Sequence, residues 1–455
     1  MKRRTVRTVL VIVGVFLALG VSGYFLAKKY KPQFFDREEV DAGQLETLKT
    51  APLTPTPQAT AEVGWPQWFG PTRDGRAPAG PLRTDWEANP PKQLWSKPCG
   101  GGYASVVVVN GRAYTFDKTS SAKERVMAFD AETGVNLWET AWDADYAGIS
   151  YGSGPRATPT IQEEKLYALG ATGKFVCIDL TTTKPLWEHD LKTEFKASTP
   201  TWGFASAPLI EGNLVIVQPG GKNGTVVAFH KTTGEVAWKY GSEPTGYSSP
   251  TAATCAGVRQ IIAVTGETIL GLRPETGELL WKHEWITEHK GNIAAPVIAG
   301  DYVFVSANYS KGCVLLHLTA DGSSVKAERV YFRKARVMQN HHSTCVFNDG
   351  FLYGYDLETL RCVDLRAGEP RDEWVAKDAA GRQFAKGSLI LAGKHLLGLT
   401  QTGTLFLADA DPEEFRFRGK LEKVLSGSDC WAVPTLVSGR IYLRDSEKVV
   451  CLDVR

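Results

Sequence analysis

None of the eight cysteines is adjacent to another, and no two stand in C-x-x-C spacing. Zinc-ribbon and thioredoxin-type sites are therefore excluded. Basic residues do not cluster beyond the N-terminus, and the formal net charge is only +2. The chain thus lacks the electrostatic footprint of a nucleic-acid binder. There is no Walker loop, no dinucleotide-binding glycine set and no serine-nucleophile elbow in a fitting context. His341-His342 has no H-x-x-x-H spacing and no carboxylate nearby in sequence. Neighbouring histidines on a strand point to opposite faces, so no metal is expected there.

What the chain has is a repeat. AFDAETGVNLW (Ala128–Trp138), CIDLTTTKPLW (Cys177–Trp187), AFHKTTGEVAW (Ala228–Trp238) and GLRPETGELLW (Gly271–Trp281) align without gaps. Three of the four place a Gly four residues before the Trp. Weaker copies start at Leu316, Cys362 and Leu407, and Cys451-Leu452-Asp453-Val454-Arg455 begins another. A spacing of about 40–50 residues marks small β-units in an array. The last copy has no Trp strand, while Gln93-Leu94-Trp95 stands unclaimed before the first complete copy. An N-terminal strand completing the final unit would close the ring and remove two exposed sheet edges. The expected fold is all-β, an eight-bladed propeller of four-stranded antiparallel blades over residues 65–455.

Within each unit the repeat Asp (Asp130, Asp179, Asp364, Asp453) is expected to form a turn, its side chain capping local N–H groups. The repeat Trp is expected to wedge between blades. Cys177, Cys362 and Cys451 share one repeat position and are expected to act as small buried apolar residues.

Lys2, Arg3, Arg4 and Arg7 precede an uncharged run, Thr8 to Ala27. About 20 helical residues span a bilayer core. Residues 1–27 therefore read as a transmembrane signal-anchor preceding the propeller. A cleaved signal peptide with Val21-Ser22-Gly23 as its site is the competing reading. The basic tail places the propeller on the extracytoplasmic side. Residues 28–64, with four prolines and no apolar periodicity, read as a flexible linker. WPQWFGPTRDG (Trp65–Gly75) then reads as an ordered arm packed against the propeller.

The x-x-D-x-x-T-G-x-x-x-W units resemble the quinoprotein-type, or PQQ-like, β-propeller family. The WPQW-GP-RDG arm looks like the N-terminal motif of uncharacterised planctomycete-type bacterial propellers of that family. The resemblance implies one of two activities. One branch comprises PQQ-dependent alcohol or sugar dehydrogenases that use PQQ and usually calcium and carry an adjacent Cys-Cys pair, which this chain lacks. The other resembles the propeller lipoprotein of the outer-membrane β-barrel assembly machine, which binds proteins. That protein has a lipid-attachment Cys, whereas the first Cys here is Cys99.

Ligands of propellers meet the loops entering the innermost strands. These loops hold Tyr103, Tyr151, Arg156, Trp202, Tyr247, Asn292, His341, His342, Lys386, Asp429 and Trp431. Phe204, Lys290 and Asn340 lie in the same loops. An aromatic and polar set of this kind suits binding. The expectation is a non-catalytic envelope scaffold that takes a protein or small ligand at the channel mouth. No catalytic residue and no cofactor is assigned. PQQ and calcium enter only under the alternative, a PQQ-dependent oxidoreductase.

Overall fold

The computed structural model describes residues 37–54, 64–334, 337–372 and 374–455. The expected transmembrane segment, residues 1–27, lies outside the described residues. Among the described residues no helix is long and apolar enough to cross a membrane.

Eight antiparallel sheets form the body. Blade 1 runs outward through Val107–Val109, Arg112–Lys118, Lys123–Asp130 and Asn136–Asp143. Blades 2 to 7 follow in chain order. Blade 8 takes Thr435–Val437, Arg440–Arg444 and Lys448–Asp453 from the end of the chain and Lys92–Pro98 from its beginning. Trp95 pairs with Cys451. The ring closes as the spare Trp95 strand required, with no open edge between blades 8 and 1.

The repeat signature has a physical cause in the contact between neighbouring blades. The Trp of one outer strand lies against the Thr-Gly turn of the next blade. A Cβ on Gly134 would sit 2.7 Å from the Trp95 ring, and one on Gly277 would sit 2.4 Å from the Trp238 ring. Gly234 faces Trp187 in the same way, and Gly368 faces Tyr331, which replaces Trp in blade 5. These glycines also have positive φ, +69° at Gly134 and +71° at Gly277, so both space and backbone demand Gly. Some indole N–H groups also donate across their seams, from Trp238 to Pro274 O at 2.8 Å and from Trp374 to Asp411 O at 2.8 Å, whereas Trp281 donates within its own blade to Gln260 Oε1. Blade 2 carries Thr183 in place of the Gly; Trp138 opposite it, like Trp187 opposite Gly234, is only partly buried and its Nε1 lacks a partner among the described residues. The repeat Asp residues form the turns: Asp130 Oδ1 accepts from the Glu132 and Thr133 amides, and Asp179 Oδ1 from the Thr181 and Thr182 amides. Cys177, Cys362 and Cys451 are all buried.

The arm does more than pack on the surface. Gly64–Trp65 adds a fifth strand inside the innermost strand of blade 1, so the arm lies in the central channel. It enters beside the Val109–Arg112 hairpin, climbs, turns at 69–75 and descends along blade 7, where the Ala77 amide donates to Leu391 O and the Leu391 amide to Gly75 O. The Ile161 amide of blade 2 donates to Pro66 O. The buried Arg73 guanidinium donates to Ala207 O and Pro208 O of blade 3. The Arg76 guanidinium donates to Phe347 O of blade 6. Asp74 fixes the turn by accepting from Thr72 Oγ1 and the Arg76 amide. The T-R-D-G-R run is thus the tip of a plug.

Residues 28–64 are not a linker throughout. Glu39–Val40 extends the outer edge of blade 5, and the helix Ala42–Thr50 packs beside it. Asp41 caps that helix by accepting from the Gln44 amide, and Leu48 is fully buried, with the partly buried Leu45, Ala51 and Leu53 beside it, against blades 5 and 6. A short Leu45-x-x-Leu48 stripe suffices to dock a helix once a groove between blades receives it.

Candidate functional site

The plug divides the channel and becomes the floor of a cup at the face where the innermost strands begin. The cup has a volume of about 490 Å³. Its wall follows one rule. Each innermost strand enters through an equivalent position, and the residues there are Tyr103, Arg156, Ala205 and Tyr247 in blades 1 to 4, then Ile293, His342, Lys386 and Trp431 in blades 5 to 8. All eight line the cup. Where a proline is present it stands three residues later, at Pro159, Pro208, Pro250, Pro296 and Pro434.

Of the residues expected from sequence, Tyr103, Tyr151, Arg156, Trp202, Tyr247, His341, His342, Lys386, Asp429 and Trp431 meet at this cup. Asn292 does not. Its side chain is buried and spans the loop, donating to Thr265 O at 2.8 Å and Trp285 O at 3.0 Å and accepting from Thr287 Oγ1. The lining residue of blade 5 is its neighbour Ile293, and counting back from Pro296 would have found it. Phe204 is buried between blades 2 and 3, Lys290 pairs with Glu267 at 2.5 Å, and Asn340 is buried against Ser306 and Tyr355 O.

His341 and His342 do not face opposite ways. The strand of blade 6 starts only at Val346, and the two rings stack in the preceding loop with centroids 3.9 Å apart. Both line the cup. Burial first, then Lys386, holds His341 down at about 4; burial, His341 and Lys386 hold His342 at about 2. Both are neutral near pH 7. Among the described residues no three His, Cys, Asp or Glu side chains converge on a common point.

The rim is a chain of aromatic contacts. Tyr103 stacks on Trp431 at 4.9 Å, Trp431 meets His342 at 4.0 Å, and His341 meets Tyr309 edge-on at 5.7 Å. Tyr309 lies parallel to Trp202 at 6.0 Å, and Trp202 contacts Tyr247 at 5.0 Å. Arg156 sits 5.3 Å over Tyr103 and donates to the carbonyls of Ser150, Tyr151 and Gly154, so it clamps the blade 2 loop. Tyr151 stands at the mouth, 60% exposed. Burial raises the Tyr309 hydroxyl to about 12, so it stays protonated.

Besides Ala205, Ile293 and the small polar residues of the wall, two large aromatic contributors escaped sequence reasoning. Tyr309 comes from the loop between the second and third strands of blade 5, outside the repeat position. Trp68 belongs to the plug and forms the floor. Its ring is backed by Phe69, stacked at 4.8 Å, and by the Arg73 guanidinium at 5.5 Å.

The model of a PQQ-type repeat family, described as outer membrane protein assembly factor BamB, matches residues 79–193 and 122–371. The quinoprotein alcohol dehydrogenase PedH of Pseudomonas putida is 28% identical over 148 residues, 31% of this chain and 24% of that one. The BamB of Kangiella koreensis is 26% identical over 196 residues, 42% of this chain and 45% of that one. The chain thus spans less than half the length of these curated relatives. The crystal structure of BamB from Moraxella catarrhalis superposes with a TM-score of 0.55 at 14% identity, covering 80% of this chain and 99% of that one; this likeness concerns the fold. With the family match running over more than half of its residues, the chain belongs to the PQQ-type β-propeller family described as outer membrane protein assembly factor BamB.

Proposed function

We propose that this protein is a membrane-anchored, extracytoplasmic propeller scaffold of the cell envelope whose cup binds a ligand or protein segment without catalysis. One observation carries the reading: the eight equivalent wall positions, one per blade, converge on a single cup with an aromatic rim. Aromatic and Arg residues are the common anchors of binding surfaces. The sequence-based anchor at residues 1–27 supports the location, and the arm motif supports kinship with planctomycete-type propellers.

The family also includes quinoprotein dehydrogenases, so the fit of PQQ with calcium needs a test on these residues. Calcium takes about 6–8 oxygen ligands, with carboxylates prominent. Among the described residues Asp429 is the one carboxylate on the lining, and Lys386 shares the cup with it. Among the described residues no cysteine lines the cup, and none is adjacent to another in the sequence. The donor set does not fit the calcium–PQQ pair, and no catalytic step is derived through it.

The test uses purified full-length protein. Trp202→Ala with Trp431→Ala should weaken capture of whatever co-purifies with the wild type while circular dichroism stays unchanged. Dye-linked alcohol or sugar oxidation that reconstitutes with PQQ and calcium, and disappears in Asp429→Asn, would refute the non-catalytic reading.

A further inference from the structure

The hydroxyls of the cup are already committed on one side. Ser105 Oγ accepts from the Val433 amide at 2.8 Å, and Thr158 Oγ1 accepts from the Ser105 amide at 3.0 Å. Ser249 Oγ accepts from the Ala207 amide, and Thr344 Oγ1 from the Ala295 amide, each at 3.0 Å. Each bond joins neighbouring blades, and among the described residues none of these four hydroxyls has an acceptor for its own hydrogen. A hydroxyl has one hydrogen to donate. Four blades around the channel therefore offer held O–H donors in the cup that Trp68 also lines. The buried Trp431 Nε1 also lacks a partner among the described residues.

Charge adds to this. Lys386 lines the cup and forms no ion pair among the described residues. Arg73 stands behind Trp68, and Arg156 holds the rim. Against these three cations the described lining sets one carboxylate, Asp429. A cation behind an aromatic ring disfavours a second cation on its open face, so a quaternary ammonium does not suit this floor. The fitting ligand has flat apolar faces, oxygen acceptors around its whole edge, a negative charge for Lys386 and hydroxyl donors for Asp429 and Gln401, which also lines the cup. A planar polycarboxylate supplies the first three but leaves Asp429 facing an anion.

We infer that the cup takes an acidic sugar residue, a pyranose carrying a carboxylate. The ring lies on Trp68, its edge oxygens accept from the hydroxyls of Ser105, Thr158, Ser249 and Thr344, and its carboxylate pairs with Lys386. This deepens, and rests on, the reading of the cup as a binding site. The sugar enters past Tyr151, and the aromatic rim grips the next residue of an oligomer.

The experiment titrates full-length protein in detergent with glucuronate, galacturonate and short oligomers of each, and with glucose as the uncharged counterpart, followed by tryptophan fluorescence and calorimetry. Saturable uronate binding about tenfold tighter than glucose is expected, with oligomers tighter than monomers. Lys386→Met should remove the tenfold preference and leave glucose binding in place. Tyr151→Ala, at an exposed position that does not hold the fold, should weaken the oligomers and spare the monomers. Equal binding of glucose and uronate would overturn the assigned charge. Absence of sugar binding together with saturable quenching by PQQ or another aromatic polycarboxylate would overturn the sugar and leave the cup a binding site. Absence of all binding would overturn the inference, and unchanged capture in the Trp202→Ala, Trp431→Ala variant would then refute the binding-site reading itself.

Discussion

The seam between Trp238 and Gly277 allows a quantitative test of how the ring holds together. Trp238 is 8% exposed and donates to Pro274 O across the seam. Truncating a buried Trp to Ala costs about 3–5 kcal/mol. Gly277→Ala meets two penalties. The backbone has φ +71°, which costs a non-Gly residue about 1–2 kcal/mol. The new Cβ lies 2.4 Å from the indole, an overpacking that typically costs about 1–3 kcal/mol. The single variant should therefore lose about 2–5 kcal/mol. In the Trp238→Ala background the indole is gone and only the backbone part, about 1–2 kcal/mol, remains. Urea unfolding of wild type, both single variants and the double variant should give a coupling of about 1–3 kcal/mol, with the double variant more stable than the sum of the single effects. Penalties that add to within about 0.5 kcal/mol would show that Gly277 serves backbone conformation alone.

Three further outcomes are expected. Deleting Gln93–Ser96 removes most of the strand paired with Val449–Asp453 and should open the ring to aggregation, whereas a monomeric deletion variant with unchanged melting would contradict closure through this strand. His341 and His342 have folded-state values of about 4 and about 2, below the ordinary 6.5; the unfolded chain then binds more protons, so stability present above pH 6.5 is lost as pH falls through the window down to these values. His342→Gln should flatten that acid limb of melting temperature against pH, and an unchanged limb would show that the ring is solvated. Protease added to intact spheroplasts should remove the propeller and leave the anchor in the membrane, and protection of the propeller would contradict the proposed topology.

The ring was legible because its seams use the same chemistry repeatedly. A Trp that needs a facing Gly, and an Asp that caps the intervening turn, leave a sequence pattern that survives even where blade 5 substitutes Tyr331. The cup was legible at positions tied to that pattern. It failed by one residue at Asn292, where a polar side chain serves its own loop and the wall is made by Ile293. Trp68 and Tyr309 lie outside the repeat, so only the path of the arm and the height of a blade 5 loop reveal them. The helix Ala42–Thr50 was missed because its stripe of Leu45 and Leu48 is too short to register without the groove that receives it.

The closing strand and the plug also set the order of events when the chain is made. Trp95 must wait for Cys451, Arg83 for Val454, and Ala77 for Leu391. At about 5–20 residues per second, the stretch from Trp95 to Cys451 takes roughly 20–70 s to synthesise. Blades 1 to 7 can stack on one another during that time, but the partners that close the ring do not yet exist. The Lys92–Pro98 strand remains unpaired throughout, while the arm can meet blades 1 to 3 early and lacks only its later partners such as Leu391, which makes Lys92–Pro98 the segment of the nascent chain most in need of a chaperone.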